Sequence, residues 1–330
     1  MNELVSIIIP VFNGEMYVDR LILSVASQTY RPLEVIIIDD GSVDSSLNKL
    51  YSKVKELEVD DLKFIILSQD NKGIANTRNL GIKISSGKYI MFHDQDDWMD
   101  KNCVEILVKE MISGKYDMVI SGYRSIDDRG ICKTECSLDP LLSWSKYRIT
   151  APWGRIFLKE LINNNKIFFY DTKISEDLYF NIFYISSSKK VKVISYVGYN
   201  WYYNKNSESH LNWSKLDKER DPFIMLDDLH KKIRFGNWND KNERAYFFTK
   251  YLIWYLLYTA RGSQKEELKR NIQRTFCWLE QNYPTYRFKG VKDIKYPLGE
   301  PLIIKVCVMV IMILYKLGLV EIVLRIYRNL

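Results

Sequence analysis

The sequence lacks the features that define several large protein classes. Its 5 cysteines are an odd number without a dense framework, so we expect reduced thiols and a cytosolic protein. No apolar run reaches the ~18–20 residues that span a bilayer. The first apolar run contains Pro10 and follows no basic residue, which favours a strand over a secretory signal. After it comes one glycine, Gly14, where a dinucleotide-binding loop needs G-x-G-x-x-G, and the chain has no P-loop. Any nucleotide must therefore be held by another geometry.

Positive charge is unevenly distributed along the chain. The formal net charge is +7, but residues 231–330 contain 19 Lys and Arg against 8 Asp and Glu, whereas residues 1–230 contain 29 against 33. This asymmetry predicts an acidic partner for the C-terminal part, either a membrane surface or a nucleic acid. Because the C-terminal charges interleave with long apolar runs and form no polar stripe, we expect no nucleic acid to bind.

The N-terminal part alternates apolar runs of strand length with amphipathic segments of helix length. The predicted strands are 5–11, 35–38, 64–67, 89–92 and 118–122, with further β-like runs at 191–194 and 197–203. The predicted helices are 15–28, 44–55, 74–84, 101–113 and 175–186. Strands that are apolar throughout are typical of a parallel sheet covered on both faces. The pattern indicates a doubly wound, mostly parallel α/β domain over residues 1–214, followed by an aromatic-rich helical region over residues 215–330.

Three carboxylates stand together after the predicted strand 89–92. Asp94, Asp96 and Asp97 fall within four residues and repel one another unless a positive group lies among them. In an open α/β sheet, ligands bind at the carboxyl ends of the strands. Mg²⁺ and Mn²⁺ favour carboxylate oxygens together with substrate phosphates. The cluster therefore indicates either a divalent-cation site or a solvated acidic turn.

The carboxyl ends of the other predicted strands are also polar. They carry Asn13, then Asp39 and Asp40, then residues 71–73 with Arg78 in the following helix. Taken alone, the aspartate pair would suit a turn and the arginine a solvated helix face. Taken with the acidic cluster, their order and spacing resemble the inverting glycosyltransferase family 2 of the GT-A fold. The matching segments are 6–13, 34–42, 71–81 and 87–97.

The resemblance implies transfer of a sugar from a nucleotide diphosphate, with UDP as the expected nucleotide and manganese or magnesium as the metal. It implies that Asp39 accepts a hydrogen bond from the uracil imide, that Arg78 faces the nucleotide, and that Asp94 contacts the ribose or reaches the metal through water. Asp96 would bind the cation that bridges the two phosphates, and His210 would lie on the metal or the diphosphate. The implied donor site comprises Pro10, Phe12, Asn13, Asp39, Asp40, Asn71, Gly73, Arg78, Asp94, Gln95 and Asp96.

Inverting transfer also needs a base that takes the proton of the acceptor hydroxyl. Glu176 and Asp177 match the acidic pair of the family. We assign the base to Asp177, with Glu176 as the alternative and as an acceptor contact, since adjacent residues on a helix point about 100° apart. Without the resemblance, the pair would suit a helix start, where negative charge favours the dipole. Trp153 resembles an acceptor-side residue of the family; it would stack on a sugar ring or pack in the core.

The final segment, 301–330, is apolar but interrupted by charges. These charges fall on two different helical stripes, which predicts a break near Gly318 and two short helices. An apolar face flanked by basic residues is typical of an interfacial membrane anchor. An internal core helix or a dimer helix is the alternative.

The sequence therefore predicts a GT-A domain that binds the nucleotide sugar with residues 1–100 and the acceptor with residues 101–214. We expect a cytoplasmic enzyme held at the inner leaflet of the cell membrane by its tail, either alone or as a homo-oligomer. Its expected acceptor is a lipid-linked saccharide in bacterial surface polysaccharide synthesis. One alternative is another magnesium-dependent nucleotide-sugar or phosphate enzyme, which would need a glycine-rich phosphate loop or a D-x-T nucleophile motif. A non-catalytic sugar-binding relative is the other; the intact Asp39, Asp94, Asp96 and Asp177 argue against it.

Overall fold

The computed structural model describes residues 2–55, 57, 61–204, 221–234, 236–284 and 296–328. These residues form two compact units. The first contains the described residues within 1–140, 149–204 and 222–237, and the second contains residue 221 and those within 141–148 and 238–328. The predicted domain boundary at residue 214 lies outside the described residues and stays a prediction. His210 also lies outside them, and so its proposed place on the metal or the diphosphate stays a prediction.

The first unit is built on a mixed sheet to which the described residues contribute nine strands. The strands are β1 (Val5–Val11), β2 (Leu33–Asp39), β3 (Leu62–Ser68), β4 (Tyr89–Phe92), β5 (Trp98–Met99), β6 (Met118–Ile126), β7 (Cys132–Cys136), β8 (Arg155–Leu158) and β9 (Val191–Tyr202). Their order across the sheet is β3-β2-β1-β4-β8-β6-β9-β5, with β7 paired to β6. The three longest ladders, β1–β2, β2–β3 and β6–β9, are parallel. The prediction of a mostly parallel α/β sheet is confirmed.

The helices of the first unit follow the predicted alternation with strands. They are α1 (Val18–Ala26), α2 (Ser46–Val54), α3 (Ile74–Ile84), α4 (Cys103–Gly114), α5 (Lys159–Asn165), α6 (Glu176–Ser187) and α7 (Phe223–Ile233). Strands β1 and β2 are buried at every position, as expected of parallel strands with both faces covered. Every strand and helix predicted in the first 114 residues is present, with ends that differ by a few residues.

Several strands of the sheet differ from the prediction. Strands β5, β7 and β8 were not predicted, because β5 has only two residues, β7 contains no apolar run, and β8 lies in a stretch without visible periodicity. Strand β8 runs antiparallel to both β4 and β6. The two β-like runs at 191–194 and 197–203 form one strand, β9, whose register against β6 shifts on either side of Gly122. A Cβ atom at Gly122 would lie 2.1 Å from the carbonyl oxygen of Cys136, so only glycine fits there.

Parallel pairing brings the carboxyl ends of β1, β2 and β4 to one edge of the sheet. Val11 lies opposite Asp39, and Ile8 lies opposite Phe92. Strand β4 therefore ends at the level of Ile8, and the chain beyond it continues beside the end of β1. There the N–H of His93 donates to the carbonyl of Ile8 at 3.0 Å. The strand ends that were predicted to form a site meet at this edge.

The second unit is helical in its described part. It contains a 3₁₀ turn (Ser143–Tyr147), α8 (Lys241–Ala260), α9 (Lys265–Asn282), α10 (Leu302–Lys316) and α11 (Val320–Arg328). The last two helices pack on the rest of the unit through buried side chains such as Val308, Ile311 and Leu324. They are separated at Gly318, whose φ is +71°. The helical C-terminal region and its break are as predicted.

Candidate active site at the carboxyl edge of the sheet

The loop after β1 is clamped to the loop after β2. The N–H of Asn13 donates to Ser42 Oγ at 2.9 Å, and Asn13 Oδ1 accepts from the N–H of Val43 at 2.9 Å. Asn13 has a φ of +47°, a left-handed conformation that asparagine adopts more readily than most residues. Pro10 is buried within β1, and Phe12 just beyond it is 45% exposed. An aromatic face is thus presented to solvent at the edge.

One carboxylate oxygen of Asp39 has no hydrogen-bond donor among the residues that the structure describes. Its side chain is buried, and Oδ2 accepts from the N–H of Ser42 at 3.3 Å and from Ser68 Oγ at 3.2 Å. Within the described residues nothing donates to the buried Oδ1 atom. An unmet buried acceptor is costly, so this atom is suited to receive an N–H donor such as the imide of a pyrimidine base.

Asp40 shapes the neighbouring loop with both of its carboxylate oxygens. Oδ1 accepts from the N–H of Lys72 at 2.9 Å and from Gln69 Nε2 at 2.7 Å, and Oδ2 accepts from the N–H of Gly73 at 2.8 Å. These bonds set the segment that carries Asn71 and starts α3. Asp40 therefore fixes the loop of the predicted donor-site residues 71 and 73 through the backbone of residues 72 and 73.

The acidic turn after β4 is fixed from several directions. Gln95 makes two bonds to the main chain of Phe12, accepting from its N–H at 2.9 Å and donating to its carbonyl at 3.1 Å. Asp97 is buried and accepts from Tyr199 Oη at 2.6 Å and from the N–H of Tyr202 at 2.8 Å. Burial raises the pKa of the Asp97 carboxyl, with further contributions from its aspartate neighbours. Asp97 is thus a structural residue of the turn.

Arg78 joins two of the predicted site carboxylates. Its buried guanidinium donates to Asp94 Oδ1 at 2.8 Å and to Glu176 Oε1 at 3.1 Å, and lies 5.2 Å from the centroid of the Phe169 ring. Burial opposes the charge of Arg78, but Asp94 and Glu176 raise its pKa. Arg78 therefore holds a fixed positive charge at the edge, although sequence alone equally allowed a solvated arginine.

Asp96 differs from the other acidic residues of the turn in the contacts of its carboxylate. No side chain among the described residues donates to it, and burial followed by the charge of Asp94 raises its pKa to about 6. A divalent cation would favour its ionised form, and oxygen donors suit Mg²⁺ and Mn²⁺. The described residues contain no cluster of three or more His, Cys, Asp or Glu side chains that could hold a metal, so the cation would need phosphate oxygens from the donor.

Asp177 and Glu176 start α6 but have different surroundings. Glu176 is paired with Arg78, whereas among the described residues Asp177 Oδ1 accepts from the N–H of Leu178, at 2.6 Å. Burial, followed by the charge of Glu176, raises the pKa of Asp177 to about 7. A general base works best with a pKa near the working pH, so the environment of Asp177 suits the predicted role better than that of Glu176.

Trp153 lies among aromatic rings. Its ring stacks on Tyr199 with centroids 4.6 Å apart and an interplanar angle of 2°, and it meets Tyr123 edge-on at 5.0 Å. Trp153 is 8% exposed, so little of its surface remains for an acceptor sugar. The acceptor role of Trp153 stays a prediction.

Sequence reasoning missed two arginines. Arg20 on α1 donates to the carbonyl of Asp96, and the fully buried Arg155 at the start of β8 donates to the carbonyl of Ile149. Burial lowers the pKa of Arg155 to about 9, and the charge of Asp177 opposes this shift. The partner of Arg20 lies 76 residues away in sequence, so no local spacing could have revealed it. The partner of Arg155 lies six residues before it, in a stretch without visible periodicity.

The carboxyl edge of this sheet combines the buried Asp39 carboxylate, the fixed positive charge of Arg78 and the acidic turn after β4. The family model described as "Glycosyl transferase family 2" matches residues 6–179, which is more than half of the chain. The chain therefore belongs to glycosyl transferase family 2. The resemblance found in the sequence is confirmed, as is the class of enzyme, a glycosyltransferase.

Similar proteins agree with this assignment. Glycosyltransferase GlyA of Streptococcus pneumoniae is 30% identical over 128 residues, 39% of this chain but 18% of GlyA. The uncharacterized glycosyltransferase EpsJ of Bacillus subtilis is 25% identical over 328 residues, 93% of each chain. The poly(ribitol-phosphate) β-N-acetylglucosaminyltransferase TarS of Staphylococcus aureus is 25% identical over 227 residues, 65% of this chain and 38% of TarS. The crystal structure of TarS residues 1–349 with UDP-GlcNAc aligns with a TM-score of 0.69 at 18% identity, covering 96% of this chain and 92% of that one, and shows the shared fold.

Proposed function

We propose that the chain is a metal-dependent inverting glycosyltransferase that moves a sugar from a UDP-sugar to a saccharide acceptor. The observation that carries this proposal is the turn 94–97, in which Asp94, Gln95 and Asp97 are held by other residues while no side chain of the described residues donates to the Asp96 carboxylate. UDP is favoured because the related TarS is named as an N-acetylglucosaminyltransferase and was solved with UDP-GlcNAc. We place the reaction in bacterial surface polysaccharide synthesis, with a lipid-linked saccharide as acceptor.

Each side chain of the site has a role in this proposal. Asp39 and Phe12 would hold the base, Arg78 would place positive charge near the diphosphate, and Asp96 would hold the cation. A bound divalent cation would supply Lewis-acid stabilisation of the departing diphosphate. Asp177 takes the proton from the acceptor hydroxyl. At the same time, the hydroxyl oxygen bonds to the anomeric carbon of the donor sugar, and the bond between that carbon and UDP breaks.

A thermal-shift experiment tests the donor class. UDP-GlcNAc with MnCl₂ should raise the melting temperature. A ligand that binds only the folded state raises the free energy of unfolding by about 2.7 kcal/mol when its concentration is a hundred times its Kd. The shift should shrink when EDTA replaces MnCl₂, and ADP at the same concentration is the control nucleotide. An absence of any shift with UDP-, GDP- and dTDP-sugars would contradict the proposal.

The proposal places the enzyme at the cytoplasmic leaflet through α10 and α11. Both helices expose large apolar side chains in their described part, among them Ile303 at 75% and Ile322 and Ile326 above half. Lys305 and Lys316 lie on the same helix as Ile303. Within the described ranges, no helix is both long and apolar enough to cross a bilayer. An exposed apolar face with basic neighbours suits a shallow position in an anionic lipid surface.

Three serine substitutions on this face should weaken membrane binding. The variant I303S/I322S/I326S should bind vesicles of phosphatidylcholine with phosphatidylglycerol at least about tenfold more weakly than wild type, since burying one large apolar side chain contributes about 1.5–3 kcal/mol. Sedimentation with the vesicles measures this. The matched control is L23S/I112S/I131S, which removes three exposed apolar residues of the first unit. Unchanged vesicle binding with a smaller particle on gel filtration would instead support a dimer interface.

A further inference from the structure

Arg20 is held in an aromatic setting beside the acidic turn. Its guanidinium carbon lies 4.6 Å from the ring centroids of both Trp98 and Tyr202, and 5.8 Å from that of Tyr17. Cation–π contacts of this kind contribute about 0.5–2 kcal/mol each, more when water is excluded. The rings come from Tyr17 just before α1, from β5 and from the end of β9, so two strands distant in sequence help to set the position of Arg20.

From this position Arg20 reaches the backbone of the cation-binding residue. Its Nη2 atom donates to the carbonyl of Asp96. The same peptide group is held at its other end, because the N–H of Asp97 donates to the carbonyl of Asp94 at 3.2 Å. The peptide group between residues 96 and 97 is therefore hydrogen-bonded through both its carbonyl and its N–H. Its orientation fixes the backbone conformation at Asp96, and with it the direction of the Asp96 side chain.

The hydrogen bonds made by Gln95 and Asp97, the neighbours of Asp96 in the turn, do not involve the Asp96 carbonyl. Gln95 is tied to Phe12, and the Asp97 carboxylate is tied to Tyr199 and to the N–H of Tyr202. Neither bond restrains the Asp96 carbonyl. Among the described residues, Arg20 is the side chain that holds it.

We propose that Arg20 is a positioning residue for the cation site: it fixes the peptide group after Asp96 so that the carboxylate is aimed at the metal that accompanies the donor diphosphate. This inference rests on the proposed function. It adds a residue of α1 that contacts neither the metal nor the nucleotide in this arrangement. Loss of a group that orients a metal ligand typically weakens metal affinity by about 10–100-fold.

The test measures Mn²⁺ binding by titration calorimetry in the presence of saturating UDP. Arg20→Met keeps much of the apolar stem but removes the charge and the donor, and should weaken Mn²⁺ binding by about tenfold or more. Arg20→Lys restores a charged donor and should recover part of the affinity. UDP binding without metal should stay within about twofold of wild type, because the base pocket is untouched. In transfer assays, the Mn²⁺ concentration for half-maximal rate should rise more than kcat falls.

The matched control is Arg31→Met. Arg31 also donates to main-chain carbonyls, those of Ala26, Gln28 and Tyr30 near the end of α1, but it is outside the site. Where Arg20→Met fails to fold, Tyr202→Leu replaces it, since it removes a stacking ring and keeps the main-chain N–H that bonds Asp97; a Mn²⁺ affinity several-fold below wild type is expected. Wild-type affinity in the folded Arg20→Met or Tyr202→Leu variant would overturn the inference. Failure of the wild type to bind Mn²⁺ with UDP would overturn the proposed function as well.

Discussion

Asp96→Ala should lower metal-dependent transfer by about a hundredfold or more while leaving the protein folded. The expected loss follows from the several kcal/mol that a bound cation supplies to a charged transition state. The melting temperature should stay equal to wild type or rise, because the wild-type carboxylate is partly buried beside Asp94 and its pKa is raised to about 6. Transfer rates with and without added MnCl₂, together with thermal unfolding, measure both outcomes.

The neighbouring Asp97→Ala is the matched control for this experiment. Asp97 receives hydrogen bonds from Tyr199 Oη and from the N–H of Tyr202, so its removal leaves two buried donors unmet and should lower the melting temperature. The two variants thus separate a carboxylate that binds from one that supports the fold. Near-normal, metal-stimulated turnover by Asp96→Ala would show that the cation is held elsewhere.

Asp177→Asn should lower transfer by about 10²–10⁴-fold, the usual contribution of a general base, while UDP-sugar binding persists. Because the folded pKa of Asp177 is about 7, the wild-type rate should rise with pH through about 7 as the carboxylate ionises. Its folded pKa is also above the ordinary value, so the folded state binds the proton more tightly and stability falls as pH rises from about 4 to about 7. At pH 8 the Asp177→Asn variant should therefore be at least as stable as wild type.

Glu176→Gln separates the two candidates for the base. Glu176 is paired with Arg78 at 3.1 Å, so its amide variant should chiefly change donor binding and the environment of Arg78. The rising limb of the pH–rate profile should remain in Glu176→Gln and disappear in Asp177→Asn. If the limb is lost in Glu176→Gln alone, the base is Glu176.

The meeting of the strand ends at one edge of the sheet could be predicted from sequence, because the residues of the proposed donor site fall at those ends. Asp39, Asp94 and Asp96 each follow an apolar run, and parallel pairing brings those ends to one edge. The order of the motifs along the sequence therefore predicts which residues lie together at this edge. The same reasoning could not show that Asp40 spends both oxygens on the backbone of residues 72 and 73, since a turn and a ligand contact look alike in sequence.

The rest of the site depends on contacts between distant elements. Arg20 lies on a helix where a solvated arginine would look the same, and its partners Trp98 and Tyr202 are 78 and 182 residues away. Strand β8, which carries Arg155, lies in a stretch of the sequence without visible periodicity. Local patterns report which face of an element is buried, but they do not report what an adjacent element places against it.

The unmet Oδ1 atom of Asp39 bears on which nucleobases the enzyme rejects. On the proposed assignment this oxygen receives the ring N–H of uracil, which thymine also has, whereas the corresponding nitrogen of cytosine has no hydrogen. A cytidine nucleotide would bring two acceptors face to face in a place closed to water. An unmet buried polar group costs about 1–3 kcal/mol, so one atom would discriminate against cytidine nucleotides by about 10–100-fold.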